Sequence, residues 1–171
     1  MTIAANLIRN IPDFPKPGIL FRDITPLLNN PAAFSQVIDE LADATSRYRF
    51  SRIAGIESRG FIFGAPLSLK LGVGFVPIRK PGKLPARVLR EEYSLEYGTN
   101  AVEMHADALT KGESVLIIDD LLATGGTAGA ACRLVERAGG IVAACTFVIE
   151  LEALEGRKAL EGREVVSLIT Y

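Results

Sequence analysis

The sequence carries almost no excess of charge: 19 Lys and Arg stand against 20 Asp and Glu, a formal net charge of -1. A dedicated nucleic-acid binder carries a basic surplus, so no nucleic-acid partner is expected. Long hydrophobic runs are missing as well. The longest largely apolar stretch, residues 141–149, is about half of the ~20 residues that a bilayer span needs, so no membrane segment is expected. The opening MTIAANLIRN has no basic stretch followed by an apolar core, and no secretory leader is read there. Cysteine is scarce: Cys132 and Cys145 make no CxxC spacing, and His105 is the single histidine. That leaves neither a disulfide framework nor the usual ligand set of a structural zinc site. No low-complexity tract and no repeat of about 20–50 residues appears. These absences point to a cytoplasmic protein. With 171 residues, 49% of them hydrophobic and 23% charged, one domain with a sizeable core is expected.

What is present is an alternation of short apolar runs with longer amphipathic stretches. Strands are expected at residues 52–56, 75–78, 115–118, 141–149 and 165–169, with a short flanking strand within 98–105. The run 115–118 is apolar on both faces, as in a central parallel strand covered on both sides. Helices are expected at 31–48, 60–71, 126–138 and roughly 153–160. The first has Asn30 placed as N-cap and Pro31 at its first position, and the third is stopped by Gly139 and Gly140. This alternation predicts an α/β fold, a doubly wound, mainly parallel central sheet flanked by helices. Residues 1–30, with Pro12, Pro15, Pro17 and Pro26, read as a small N-terminal hood, and 31–171 as the core. Residues 79–97 form a long polar insertion, a flexible lid loop in this reading. In such sheets ligands sit beyond the carboxyl ends of strands, so the chemistry belongs just after Ile56, Ile78 and Ile118.

The strongest signal follows Ile118: Asp-Asp-Leu-Leu-Ala-Thr-Gly-Gly-Thr, residues 119–127. Glycines permit positive φ, so successive N–H groups converge on one anion. Thr124 and Thr127 add hydroxyl donors, and a helix N-terminus favours negative charge. Residues Ala123, Thr124, Gly125, Gly126 and Thr127 therefore read as a cradle for a phosphate monoester. Asp119 and Asp120, on opposite faces of a strand end, suit vicinal hydroxyls or a metal-bound water. A P-loop is excluded because no lysine follows Gly126, and the glycine spacing is not that of a dinucleotide site. After Ile56, Glu57-Ser58-Arg59-Gly60 offers a second anion site, or else a helix N-cap by Ser58 beside an exposed Arg59. After Ile78, Arg79-Lys80-Pro81-Gly82-Lys83 begins either a cationic lid or a solvated charged loop.

The segment 119–127 resembles the 5-phosphoribosyl 1-diphosphate (PRPP) signature of the type I phosphoribosyltransferases, and is most similar to members of that family that use adenine. The resemblance extends over nearly the whole chain. It implies that Asp119 and Asp120 hold the ribose, that 123–127 hold the 5′-phosphate, and that Glu57, Ser58, Arg59, Arg79 and Lys83 contact pyrophosphate, with a cis peptide at Glu57–Ser58. Lys80, Arg87 and Arg90 stand as weaker members of the lid. In the segment 14–26 it implies an adenine site: backbone groups of Leu20 and Arg22 at the purine edge and Phe21 stacked upon it. In Tyr93-Ser94-Leu95-Glu96-Tyr97-Gly98 it places Glu96 near base and ribose. An independent point agrees, since alanine at 123 leaves the loop without a carboxylate for the purine N7 region. The implied reaction converts adenine and PRPP to AMP and pyrophosphate, with Glu96 and Arg59 catalytic. Mg²⁺ would be bound through PRPP oxygens and water and by no direct protein ligand, and the chain would be a homodimer. The rivals are a phosphoribosyltransferase for xanthine, hypoxanthine or guanine, and a non-catalytic PRPP-sensing regulator. His105 and the two cysteines read as structural.

Overall fold

Prolines keep the elements of the first thirty residues short. The computed structural model describes residues 3–94 and 99–171. It contains α1 (Ile3–Asn6), β1 (Arg9–Pro12), β2 (Leu20–Asp23) and α2 (Thr25–Leu28), each of four residues. β1 and β2 pair antiparallel, from Arg9 opposite Asp23 to Pro12 opposite Leu20. Asp23 closes the turn into α2: its carboxylate accepts the Thr25 N–H at 2.9 Å, the Thr25 hydroxyl at 2.8 Å and Arg9 Nη2 at 2.6 Å. The long helix α3 (Pro31–Thr45) starts where expected, with Asn30 Oδ1 accepting the Ala33 N–H at 3.0 Å. It ends three residues before the expected boundary at 48. There Thr45 turns its hydroxyl back to the Leu41 carbonyl (2.7 Å), and Ser46 and Tyr48 make turn bonds. The chain divides into two compact units, residues 1–40 and 41–171.

The second unit is built on a five-stranded parallel sheet. Its strands are β3 (Arg52–Ile56), β4 (Gly74–Ile78), β7 (Ser114–Leu122), β8 (Ile141–Glu150) and β9 (Val165–Thr170), in the order β4-β3-β7-β8-β9. β7 lies in the middle, as its two-faced apolar run requires, and Val115 to Ile118 are all fully buried. Alternation assigns one face to Ala54, Ile56, Val115, Ile117, Cys145 and Phe147. These cluster with Ala128, Ala131, Cys132 and Val135 of α5 (Gly126–Arg137). On the other face α4 (Arg59–Leu71) comes so close that a Cβ on Gly64 would sit 2.8 Å from the Ile118 side chain. The sheet is thus covered by helices on both sides.

Two sequence expectations need correction. Residues 153–160 were expected as a helix, but they form two 3₁₀ turns, Glu152–Leu154 and Gly156–Leu160, separated by Glu155 at a left-handed φ of 51°. The expected loop 79–97 also contains β5 (Val88–Ser94), paired antiparallel with β6 (Thr99–His105) from Val88 opposite His105 to Ser94 opposite Thr99. The polar sequence of β5 hides it: only Leu89 and Tyr93 pack against the core, while Arg90, Glu91 and Glu92 face other charged groups, including the basic side of α5.

Candidate active site

Three parallel neighbours end side by side, and each is followed by one of the charged motifs. Because β4, β3 and β7 are adjacent and parallel, the segments after Ile78, Ile56 and Ile118 emerge along one edge. Ion pairs join them in sequence. Arg59 Nε lies 2.8 Å from Asp120 Oδ2, linking the motif after β3 to that at the end of β7. Arg79 Nε lies 3.2 Å from Glu57 Oε2, linking the motif after β4 to that after β3, and Arg79 Nη1 donates to the Lys83 carbonyl at 3.1 Å. The Lys80 N–H also bonds Glu57 Oε2 at 3.0 Å. Burial raises the Glu57 pKa, but the Lys80 N–H and the Arg79 guanidinium outweigh it and hold the carboxyl below its ordinary value. Glu57 is therefore an ionised holder of Arg79 and of the turn behind it. The Glu57–Ser58 peptide is cis. Ser58 makes no side-chain cap bond to α4.

Asp119 and Asp120 divide their duties. Asp120 is 2% exposed and turned to Arg59. Asp119 accepts the Asp120 N–H at 2.9 Å and lines a small pocket with residues 121–128. Burial pushes both carboxyls upward. The Asp120 charge adds to this at Asp119, while Arg59 opposes it at Asp120.

The loop 123–127 has the form that an anion cradle needs. Gly125 caps α5 at φ 79°, which the absence of a Cβ permits. It also abuts the second 3₁₀ turn: a Cβ here would stand 2.2 Å from the Gly156 carbonyl, and one on Gly156 would stand 2.2 Å from the Ala123 carbonyl. The floor of the loop is thus bare backbone. That turn is pinned from below by Arg157, which holds buried Glu150 at the end of β8 through Nε (2.6 Å) and Nη2 (2.7 Å). The pocket along the loop has a volume of about 80 Å³.

A family model described as a phosphoribosyl transferase domain matches residues 24–168. An adenine phosphoribosyltransferase of Chloroflexus aurantiacus is 61% identical over 167 residues, covering 98% of this chain and 96% of its own. The chain belongs to the adenine phosphoribosyltransferases. In this family, the crystal structure of the Thermoanaerobacter pseudethanolicus adenine phosphoribosyltransferase superposes with a TM-score of 0.97 at 55% identity, covering 98% of both chains. That of the Saccharomyces cerevisiae adenine phosphoribosyltransferase, complexed with an imino-altritol bisphosphate and adenine, has a TM-score of 0.91 at 42% identity, with 96% of each chain covered. The architecture described above is the type I phosphoribosyltransferase fold.

The phosphoribosyltransferase motifs after β3, β4 and β7 are brought together as the sequence requires. Glu96 lies outside the described residues. Leu20, Phe21 and Arg22 lie on β2 of the first unit, where Phe21 meets Phe14 edge to face at 5.2 Å between centroids and Arg22 bonds Asn10. Several contributors carried no readable assignment. Glu103 is buried in β6, where its Oε2 accepts the Gly82 N–H at 2.9 Å and its backbone pairs with Arg79. Gly156 and Arg157 support the loop from about thirty positions downstream and are joined to it only by the fold. Asp23 had a local signal, Asp-x-Thr before a proline, which is the pattern of a side-chain-closed turn.

Proposed function

We propose that this chain transfers the 5-phosphoribosyl group of PRPP to adenine, releasing AMP and pyrophosphate. The observation that carries the reading is the glycine-floored loop 123–127 opening α5 beside Asp119 at the carboxyl end of the central strand. Such a cradle takes a phosphate monoester through converging N–H groups, the two threonine hydroxyls and the helix dipole. Asp119, lining the same pocket, accepts from the ribose hydroxyls when ionised, and Asp120 assists by holding Arg59.

Pyrophosphate departs from C1 of the ribose as N9 of adenine attacks the opposite face, through a transition state with positive charge on the sugar. Arg59, Arg79 and Lys83 stabilise the charge gathering on the leaving group, and Glu57 and Ser58 shape that end of the site. Ligand binding exchanges Arg79 from Glu57 to the diphosphate. Glu96 serves as the acid/base beside the purine and ribose, so Glu96→Gln should lower kcat and alter its pH dependence. The hairpin of the first unit supplies the purine contacts. Leu20 and Arg22, two apart on β2, present backbone N–H and C=O to the same edge, the pattern that reads an adenine N6 donor and N1 acceptor, and Phe21 supplies an aromatic face.

Phosphoribosyltransferases use Mg²⁺ with PRPP. Among the described residues no three His, Cys, Asp or Glu gather into a metal cage, and the acids beside the loop are Asp119 and Asp120. This donor set fits an ion that arrives on substrate oxygens with at most one carboxylate in support. Bound there, Mg²⁺ neutralises diphosphate charge. No helix among the described residues is long and apolar enough to cross a membrane. Cytoplasmic location and a homodimer belong to the same proposal, the latter checked by sedimentation.

The test is a base panel with PRPP and Mg²⁺, scored by nucleotide and pyrophosphate. Adenine should be consumed, with AMP and pyrophosphate formed one for one, and xanthine, hypoxanthine and guanine should be poor substrates. Faster turnover of any of those three would overturn the choice of base. No turnover with any base, despite PRPP binding, would favour a sensor over an enzyme.

A further inference from the structure

Tyr93 has no part in the reading above, yet its phenol meets the phosphate loop. Its ring, on β5, packs against the main core cluster, and its Oη accepts a hydrogen bond from Thr127 Oγ1 at 3.0 Å. Thr127 lies in the first turn of α5 and lines the small pocket beside Asp119. The strand carrying Tyr93 is fixed to the same helix two residues earlier. Glu91 accepts Arg133 Nε and Arg137 Nη1 at 2.7 Å each, and the carbonyls of Arg90 and Glu92 accept further guanidinium N–H groups at 2.6 and 3.3 Å. Tyr93 is thus held against the loop by its ring, its strand and its hydroxyl together.

We infer that Tyr93 is a positioning residue of the phosphate site, acting through Thr127. A hydroxyl has one proton to give. With an anion in the loop, the Thr127 proton turns to a phosphate oxygen, and the phenol O–H turns to donate to the vacated Thr127 oxygen. The hydrogen bond between the two side chains reverses, giving the chain Tyr93 Oη–H, Thr127 Oγ1–H, phosphate oxygen, with no proton transferred. A donor on its oxygen polarises the Thr127 hydroxyl, strengthens its bond to the anion and fixes its rotor. The role rests on the reading of 123–127 as the phosphate loop and adds the residue that orients one of its donors.

The experiment is calorimetric titration of ribose 5-phosphate into the full chain, into Tyr93→Phe, Thr127→Val and the double variant, with circular dichroism and melting as controls. Phe keeps the ring and its packing, so the fold is retained. Tyr93→Phe should weaken ribose 5-phosphate about three- to tenfold, the range expected for one net hydrogen bond. Thr127→Val should weaken it at least as much, and the double variant should be no weaker than Thr127→Val. In turnover, Tyr93→Phe should raise KM for PRPP by the same factor, with kcat and KM for adenine unchanged. Wild-type affinity in Tyr93→Phe, or additive losses in the double variant, would overturn the role while the loop assignment stood. Unchanged affinity in Thr127→Val would overturn the loop assignment and this role with it.

Discussion

At the scale of single residues, binding and stability pull apart at Asp119 and run together at Gly125. The Asp119 pKa is raised by burial and by Asp120, so the native state binds more protons than the unfolded chain between the ordinary and the raised value. Stability therefore falls as pH rises through that window. Asp119→Asn removes the ionisation: its melting temperature should exceed that of the wild type above the window and converge with it below. The same change should lower kcat/KM for PRPP by about 10- to 100-fold, the loss expected for hydrogen bonds to a charged acceptor. Thermal melting against pH, beside PRPP kinetics, checks both halves. Gly125→Ala should do harm on both counts. It meets a left-handed φ and a carbonyl 2.2 Å from the new Cβ, and should cost about 1–3 kcal/mol in urea unfolding and raise KM for PRPP.

Elements differ in how openly the sequence announces them. β3 was legible to the residue, and β4, β7, β8 and β9 within a few residues at their ends. A buried parallel strand is a run of apolar residues with nothing else to explain it. α5 was legible from both ends, through the Thr-Gly-Gly-Thr entry and the double glycine exit. β5 was not, since in Val88-Leu89-Arg90-Glu91-Glu92-Tyr93 Glu91 turns to Arg133 and Arg137 across a gap of more than forty positions, and Arg90 pairs with Glu92. The turns at 152–160 failed for a related reason. Their residues have helical propensity, but Gly156 must let Ala123 approach and Arg157 must reach Glu150. In the site, the three strand-end motifs were readable because each is contiguous, whereas the pairings Arg59–Asp120 and Glu57–Arg79 exist only once the strand order is known. The turn at 156–160 carries its own prediction. Arg157→Met leaves buried Glu150 without its bidentate partner, and should cost about 1–3 kcal/mol and raise KM for PRPP. Adding Glu150→Gln should recover part of that stability by removing the stranded charge, as denaturant midpoints would show.

For the whole molecule, the shifted carboxylates among the described residues fall into two opposed groups, Asp119 and Asp120 being raised. Asp23, Glu57, Glu91 and Glu150 have lowered pKa values, set chiefly by the Thr25 N–H at Asp23, by Arg133 and Arg137 at Glu91 and by Arg157 at Glu150. At Glu57 the Lys80 N–H and Arg79 overcome an opposing burial effect. Their contribution is complete above the ordinary carboxylate range and is lost as pH falls through the lowered values. Melting temperature should therefore drop on acidification below that range, and Asp119→Asn should not remove this limb. Nucleotide binding should offset part of the loss. At neutral pH, AMP at a hundred times its Kd should add about 2.7 kcal/mol to unfolding, read as an upward shift in melting that Thr127→Val diminishes. One consequence follows from the ion pairs strung across the three strand ends. Arg59 and Arg79 already face Asp120 and Glu57, so neither guanidinium stands as a bare positive charge open to stray polyanions. On the proposed assignment, a diphosphate would gain these two cations by displacing acids rather than by releasing counterions from bare guanidinium groups. Added salt should therefore weaken PRPP far less than the tally of basic side chains around it implies.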